Sequence, residues 1–220
     1  MLFGPPGARP VGPGYADRVP DLVRFTETMR GALSAGVAGG HEAAAADGEP
    51  ATFVLTVVTP DVDAMVVDPR HRNRAYGCLV APAIHPLPLT VIHGFFDLFV
   101  DADDSGRRFH MHYQLQLRDD DGRHYFLRGI KEVVRRRWIP TMPVDTTTLF
   151  TDVFEGGDDG GVPRWRGVLR MGPLGVAMQG LSFRGAGGWL GLRGIVNFMA
   201  YYLRRVWVAY TGPVVQRRQA

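Results

Sequence analysis

Residues 108–133 alternate apolar and polar side chains through two runs that meet at Asp119-Asp120-Asp121-Gly122. A period of two on both sides of an acidic, glycine-ended turn predicts an antiparallel β-hairpin. Gly122 would supply the left-handed residue of a type I turn with a bulge, a three-residue loop that sets odd-numbered residues opposite odd-numbered ones. Met111, Tyr113, Leu115 and Leu117 then share a face with Tyr125, Leu127, Gly129 and Lys131, while His110, His112, Gln114 and Gln116 point the other way. One face is apolar and the other wet.

The rest of the chain repeats this theme. Stretches 22–33, 52–59, 75–80, 89–100, 146–154, 165–171 and 176–183 are dense in Val, Thr, Leu or aromatic residues and bounded by Gly, Pro or Asp, which reads as strands. Twenty-eight glycines and sixteen prolines suit short strands joined by tight turns. No βαβ rhythm is present, so the expected fold is mainly β: an antiparallel barrel or sandwich of about nine or ten strands with a C-terminal helix. Pro82, Pro86 and Pro88 must lie in a loop or on an edge, because proline cannot donate to a ladder. Residues 34–50, rich in Ala and Gly, read as a long loop or a marginal helix. Gly77-Cys78-Leu79 and Gly167-Val168-Leu169 hint at an internal duplication, but the match is too short to count as a repeat.

Beyond residue 188 the period changes. Trp189, Leu192, Ile195, Val196, Met199, Tyr202, Leu203, Val206 and Tyr210 recur at helical spacing. Arg193, Asn197, Arg204 and Arg205 interrupt that run, which argues against a membrane span and for a helix packed on the barrel, with an interfacial helix as the other option. The expected organisation is a Pro/Gly-rich flexible tail over 1–20, a β-domain over 21–184 and the helix over 185–212.

Composition narrows the function classes. A net charge of +3 and arginine pairs scattered along the chain, with Arg135 to Arg137 the longest run, give no focused nucleic-acid footprint. Cys78 is the sole cysteine, so no intrachain disulfide forms, and the first residues lack a signal-peptide pattern. The expectation is a soluble, cytoplasmic protein. No G-x-G-x-x-G opens a helix after a strand, and no G-x-S-x-G elbow occurs. Chemistry with a bound flavin or nicotinamide is disfavoured, and no cofactor is expected.

Few residues stand out as chemical candidates. Lys131 is the sole lysine among arginines, and a site that keeps it can use a compact amine where a guanidinium fails. On the apolar face of the hairpin, its burial would lower its pKa and make it a base, a Schiff-base former or a partner for a carboxylate. Glu27, alternating with Phe25 and Met29, and Asp145 are the candidate carboxylates, with Tyr113 as a further proton donor. The blander alternative is a structural ion pair closing one end of the fold. His93 would share a face with Phe95, Asp97 and Phe99, and could pair with Asp97 or simply be a hydrogen-bonded core residue. The His110-x-His112 pair has cupin-like spacing, but Gln116 and Leu117 stand where a ligating glutamate would follow, so no metal is expected.

Several short motifs resemble the β-domain attached to cholesterol oxidase-like members of the glucose-methanol-choline oxidoreductase group. They are Phe25-Thr-Glu-Thr-Met-Arg-Gly31, the run from Pro88 to Phe99, Met111-x-Tyr113, the hairpin from Asp121 to Lys131, Asp145-Thr-Thr-Thr-Leu149 and Gly167-x-Leu169. In that group a separate flavin domain supplies the oxidase chemistry, and this chain contains no such domain. The resemblance therefore implies an accessory module, with Glu27, Lys131 and Asp145 at its polar positions.

Three expectations follow. The first is a barrel that binds a sterol-like, lipid or polyketide-like molecule, with Lys131 and Glu27 orienting its polar end and His93, Phe95, Phe99, Met111, Tyr125 and Asp145 as further binding residues. The second is a cofactor-independent isomerase or cyclase using Lys131, Glu27 and Tyr113 for acid-base chemistry. The third is a partner subunit of a separately encoded oxidoreductase, docking through the C-terminal helix. Peripheral membrane contact through residues 189–210 is compatible with all three, and nucleic acid is not an expected partner.

Overall fold

In the computed structural model, residues 22–36, 39–103, 108–134, 146–186 and 189–211 are described. The strands are β1 (Val23–Ala35), β2 (Glu49–Thr59), β3 (Arg72–Ala81), β4 (His85–Asp101), β5 (Phe109–Arg118), β6 (His124–Val133), β7 (Thr148–Glu155) and β8 (Trp165–Arg170). Each pairs antiparallel with the next, and β8 returns to β1, which pairs with β2, so the sheet closes into an eight-stranded barrel. A two-residue strand, β9 (Arg184–Gly185), adds to the start of β1. Among the described residues four helices decorate it: α1 (Gly40–Ala46), α2 (Val62–Val67), α3 (Pro173–Ser182) and α4 (Trp189–Thr211).

The β5–β6 hairpin has the register that its turn chemistry demands. Met111 faces Lys131, Tyr113 faces Gly129 and Leu117 faces Tyr125. Asp119 N–H donates to Arg123 O at 3.1 Å, and Gly122 takes φ of 83°. Pro86 and Pro88 sit in the first part of β4, which pairs with β3 before the pairing with β5 begins at Thr90, so their missing N–H groups interrupt no ladder there. The Ala-rich segment before β2 forms the short helix α1.

Residues 176–183 correct the reading from pattern. They belong to helix α3 rather than a strand, with Pro173 in the first turn after Gly172, where its fixed φ favours helix initiation. The start of the segment gives the physical reason. Gly172-Pro173 follows β8 directly, and proline in the first helical turn, with its fixed φ and no N–H to give to a ladder, starts a helix that then packs along the open part of the β1 edge.

The barrel wall divides beside β1. Its C-terminal half, Arg30 to Ala35, pairs with β8, whereas on the same edge only Val23 and Arg24 meet β9. Helix α3 covers the interval, where Thr26 N–H donates to Ser182 Oγ at 2.8 Å, so an edge amide is satisfied by a helix side chain. Eight-stranded barrels have an interior just wide enough to be packed solid or to hold one small ligand. This one does both. At one end Leu33, Phe53, Leu79, Leu89, Leu117 and Leu169 fill the interior and are fully buried, while the end beside α3 and α4 is hollow.

Candidate functional site

The hollow end is a cavity of about 300 Å³. Its apolar wall includes Phe25, Phe96, Leu98, Met111, Phe198 and Val206, and its polar groups are Glu27, Tyr113, Lys131, Thr146, Gln179 and Tyr202. The strand residues come from the first half of β1, the second half of β4, the start of β5 and the end of β6. Antiparallel alternation turns all of them inward at the same end of the barrel. Phe25 stacks on Phe183 with centroids 4.9 Å apart, and both rings meet Phe198 of α4, so the two C-terminal helices form the cap.

Within this apolar wall Lys131 Nζ donates to Glu27 Oε2 at 3.1 Å, and both side chains are at most 3 % exposed. Of the three roles open to a buried Lys131, the geometry is that of a partner for a carboxylate. The Tyr113 ring lies beneath the ammonium, with Nζ 5.1 Å from its centroid. Gly129, opposite Tyr113, leaves room for this arrangement: a Cβ there would press on the movable end of Leu149 at 2.8 Å and on Tyr113 Cβ at 3.2 Å.

One half of the polar cluster is left over. Among the described residues, Glu27 Oε1 and the Tyr113 hydroxyl are buried without a hydrogen bond of ordinary geometry. Complete burial first, then the Glu27 charge and the phenol's close approach to that carboxylate, hold Tyr113 well above its ordinary pKa, so it stays a neutral donor. Burial likewise pushes the Tyr202 hydroxyl up to about 12, offset by its bond with Thr146 and reinforced by Glu27. Buried polar groups normally find partners, and an acceptor beside a donor is a ready site for a ligand hydroxyl or carbonyl.

The structure thus brings Glu27, Tyr113, Lys131 and Met111 together in the cavity. Other candidates lie elsewhere. A bulge in β4 between Val91 and His93 turns His93 and Phe95 to the outer surface, where their rings meet at 4.7 Å and the Arg72 guanidinium covers Phe95. Asp97 on that face is held by Arg72 at 2.7 Å rather than by His93. A second irregularity, between Asp97 and Val100, carries Phe99 at φ of 52° and swings its ring inward against Tyr202, behind the cavity wall. Tyr125 is buried at the solid end, where its hydroxyl donates to Asp119 at 3.2 Å. Asp145 lies outside the described residues.

Pattern reasoning missed Phe96, Leu98, Met171, Phe183, Phe198 and Val176 as cavity residues. Phe96 and Leu98 were hidden by the β4 bulge, which reverses the parity of the strand. His110 and His112 lie side by side on the outer surface, with ring centroids 5.6 Å apart, and burial first lowers the pKa of each. A separate group, His85, Asp119 and Asp121, brings one ligand atom from each within 4.8 Å at the hairpin tip. There Asp119 accepts from Arg123 N–H and Tyr125, and Asp121 from Arg123.

Comparison with family models, curated proteins and solved structures finds no match to this chain. The class that fold and site define is an eight-stranded antiparallel barrel with a helix-capped apolar cavity at one end. No helix among the described residues is long and apolar enough to cross a membrane.

Proposed function

We propose that the protein binds a single apolar molecule of the sterol, lipid or polyketide-like class, held in the end cavity with its polar group against Glu27 and Tyr113. One observation carries this reading: Glu27 and Tyr113 line a mainly apolar cavity, and Glu27 Oε1 and the Tyr113 hydroxyl are buried there without a hydrogen bond of ordinary geometry among the described residues. Ligand sites are of this kind, an apolar pocket with a few placed polar groups that fix orientation. Lys131 is a positioning residue. Its bond to Oε2 fixes the Glu27 carboxylate so that Oε1 is presented to the ligand. A volume of about 300 Å³ suits one chain or one ring system rather than an intact two-chain phospholipid. An accessory role beside a cholesterol oxidase-like enzyme is the version of this proposal that the sequence motifs favour.

The test is native mass spectrometry of the purified protein, followed by organic extraction and thermal melting with added sterols and fatty acids. Co-purified apolar mass, or a melting temperature that rises with ligand concentration, supports the reading. Neither appearing for any of these ligands overturns it.

The convergence of Glu27, Tyr113 and Lys131 also favours a second reading, a cofactor-independent isomerase or cyclase. Here Glu27 Oε1 would accept a proton and the Tyr113 phenol would donate to an oxygen of the substrate. Turnover of a bound enone or terpenoid that survives Glu27→Gln unchanged would rule this out.

A further inference from the structure

The helical cap has two faces of the same character. Inside, α3 and α4 line the cavity. Outside, they present large apolar side chains to solvent: Leu181 is 70 % exposed, Trp189 78 %, Leu203 56 % and Trp207 71 %. Trp189 and Trp207 are five helical turns apart at about 3.6 residues per turn, so both indoles project from one side of α4, with Leu192, Val196 and Leu203 between them. Apart from the two indole N–H donors, none of these side chains offers a hydrogen-bonding atom. Protein interfaces carry about one hydrogen bond per 100–200 Å², whereas a lipid surface asks for none.

Charge points to the same occupant. After Asp159 the chain has nine arginines and no Asp or Glu, but Arg164, Arg166 and Arg170 pair with Glu155, Asp152 and Glu42 around β8, and Arg217 and Arg218 lie outside the described residues, which leaves four for the helical cap. Arg193 and Arg205 are drawn to Asp63 and Asp101 of the barrel. Arg184 caps the last carbonyls of α3, and both it and Arg204 are exposed beside the apolar stripe. Arginines flanking an apolar helix face with tryptophans at its two ends are the composition of a helix that lies in an anionic membrane interface. Lying rather than crossing fits the absence of any sufficiently apolar helix among the described residues.

The position of the cavity adds a function to that surface. Val176 and Gly180 of α3 and Leu203 of α4 line the cavity and are themselves exposed, so the cavity reaches the outside between the two helices, within the apolar face. We infer that the outer face of α3 and α4 docks on an anionic bilayer and that the cavity exchanges its ligand with the membrane through this mouth. The docking stands on the surface alone, and the exchange rests on the apolar-ligand reading of the cavity.

The test floats the full-length protein with vesicles of phosphatidylcholine alone and of phosphatidylcholine mixed with phosphatidylserine, beside the variants W189S/W207S and R184Q/R204Q. Dehydroergosterol uptake is followed without using the protein's tryptophans: from solution by the sterol's own fluorescence anisotropy, and from vesicles by loss of energy transfer from the sterol to a dansyl lipid held in the bilayer. The expected result is binding to the phosphatidylserine vesicles, weakened at least about tenfold in W189S/W207S by loss of the indole anchors, and about fivefold per arginine in R184Q/R204Q. Uptake from vesicles should slow in W189S/W207S while uptake from solution is unchanged. If neither vesicle binds and uptake from solution persists, docking is refuted and the cavity reading stands. If vesicles bind and no sterol is taken up by either route, the exchange is refuted and docking stands. Flotation that is equal in all variants, or a dimer in solution that W189S/W207S abolishes without any flotation, refutes the membrane assignment; the dimer would make this face an interface between copies of the chain.

Discussion

Lys131 Nζ and Glu27 Oε2 lie 3.1 Å apart inside an apolar barrel although 104 residues separate them in sequence. The pair joins β1 to β6 across the cavity end, so its energetics belong at once to the fold and to the site.

Lys131→Met strands the Glu27 carboxylate in an apolar surrounding. Breaking a buried pair by removing one partner costs about 3–5 kcal/mol, whereas replacing both with apolar residues is often neutral. Urea denaturation should therefore show Lys131→Met strongly destabilised and Glu27→Leu/Lys131→Met close to the parent. Equal losses in both variants would contradict the assignment.

Tyr113→Phe removes a buried hydroxyl that makes no hydrogen bond of ordinary geometry among the described residues. Stability should hold or rise, by up to about 1–3 kcal/mol, because the desolvation penalty of that hydroxyl is removed with it. Affinity for a hydroxylated or ketonic ligand should drop about tenfold relative to a hydrocarbon of equal size, the loss of one hydrogen bond to the bound ligand. Because burial and Glu27 keep the phenol protonated, this contrast should hold unchanged from about pH 6 to about pH 9, below the ordinary tyrosine value.

His71 ties the cap to the barrel. Arg205 of α4 donates to His71 Nε2 at 3.3 Å, lies 3.5 Å from Asp101 and stacks over Phe109. Burial first, and then the Arg205 charge, hold the imidazole below its ordinary pKa, while Asp68 and Asp101 oppose the shift. The unfolded chain consequently binds the proton more readily, and stability is present above about pH 6.5 and lost as pH falls through the lower, folded value. His110 and His112 act in the same direction. Thermal melts should show stability falling between about pH 7 and about pH 5, and His71→Asn should flatten part of that slope. Asparagine is chosen because His71 holds φ of 48°, a conformation it tolerates.

Gly31 and Gly167 form the seam between β1 and β8. A Cβ on Gly31 would fall onto Val168 O, and one on Gly167 onto Ala32 O, where backbone must move. Gly31→Ala should cost more than about 2 kcal/mol, beyond the usual range for a surface change, and the loss should appear in chemical denaturation. Gly77 has the same relation to Val54 O. The recurring Gly-x-Leu of β3 and β8 is thus accounted for by close strand approach, without a duplicated unit.

Much of this fold can be read from residue pattern, because closed antiparallel sheets obey a strict period of two. The β5–β6 register, and with it the inward Lys131, follows from a single glycine-ended turn. Glu27 follows from its alternation with Phe25 and Met29. What pattern could not supply were features set by closure and by irregular backbone. The β4 bulges reversed the parity of His93 and Phe95, so an aromatic strand that looked inward is in part outward. Residues 176–183 carry strand-like composition, yet Pro173 starts a helix, and the part of the β1 edge beyond β8 is covered by that helix instead of by a strand. In α4 the apolar residues encircle more than one face. Phe198 and Ala209 are buried while Trp189 and Trp207 are exposed, a division decided by where the barrel end lies rather than by hydrophobicity.

The central claim, one apolar ligand in the end cavity, is tested most directly by titrating the protein with dehydroergosterol and a fluorescent fatty acid, beside Met199→Trp. Met199 lines the cavity and is half-buried, so a larger ring there fills space with little disturbance of the core. The account predicts saturable binding of one molecule per chain in the parent and at least about tenfold weaker binding in the filled variant, as expected when a ligand and a side chain compete for one pocket of this size. Absence of binding of either probe, or equal affinity in parent and filled variant, would contradict it.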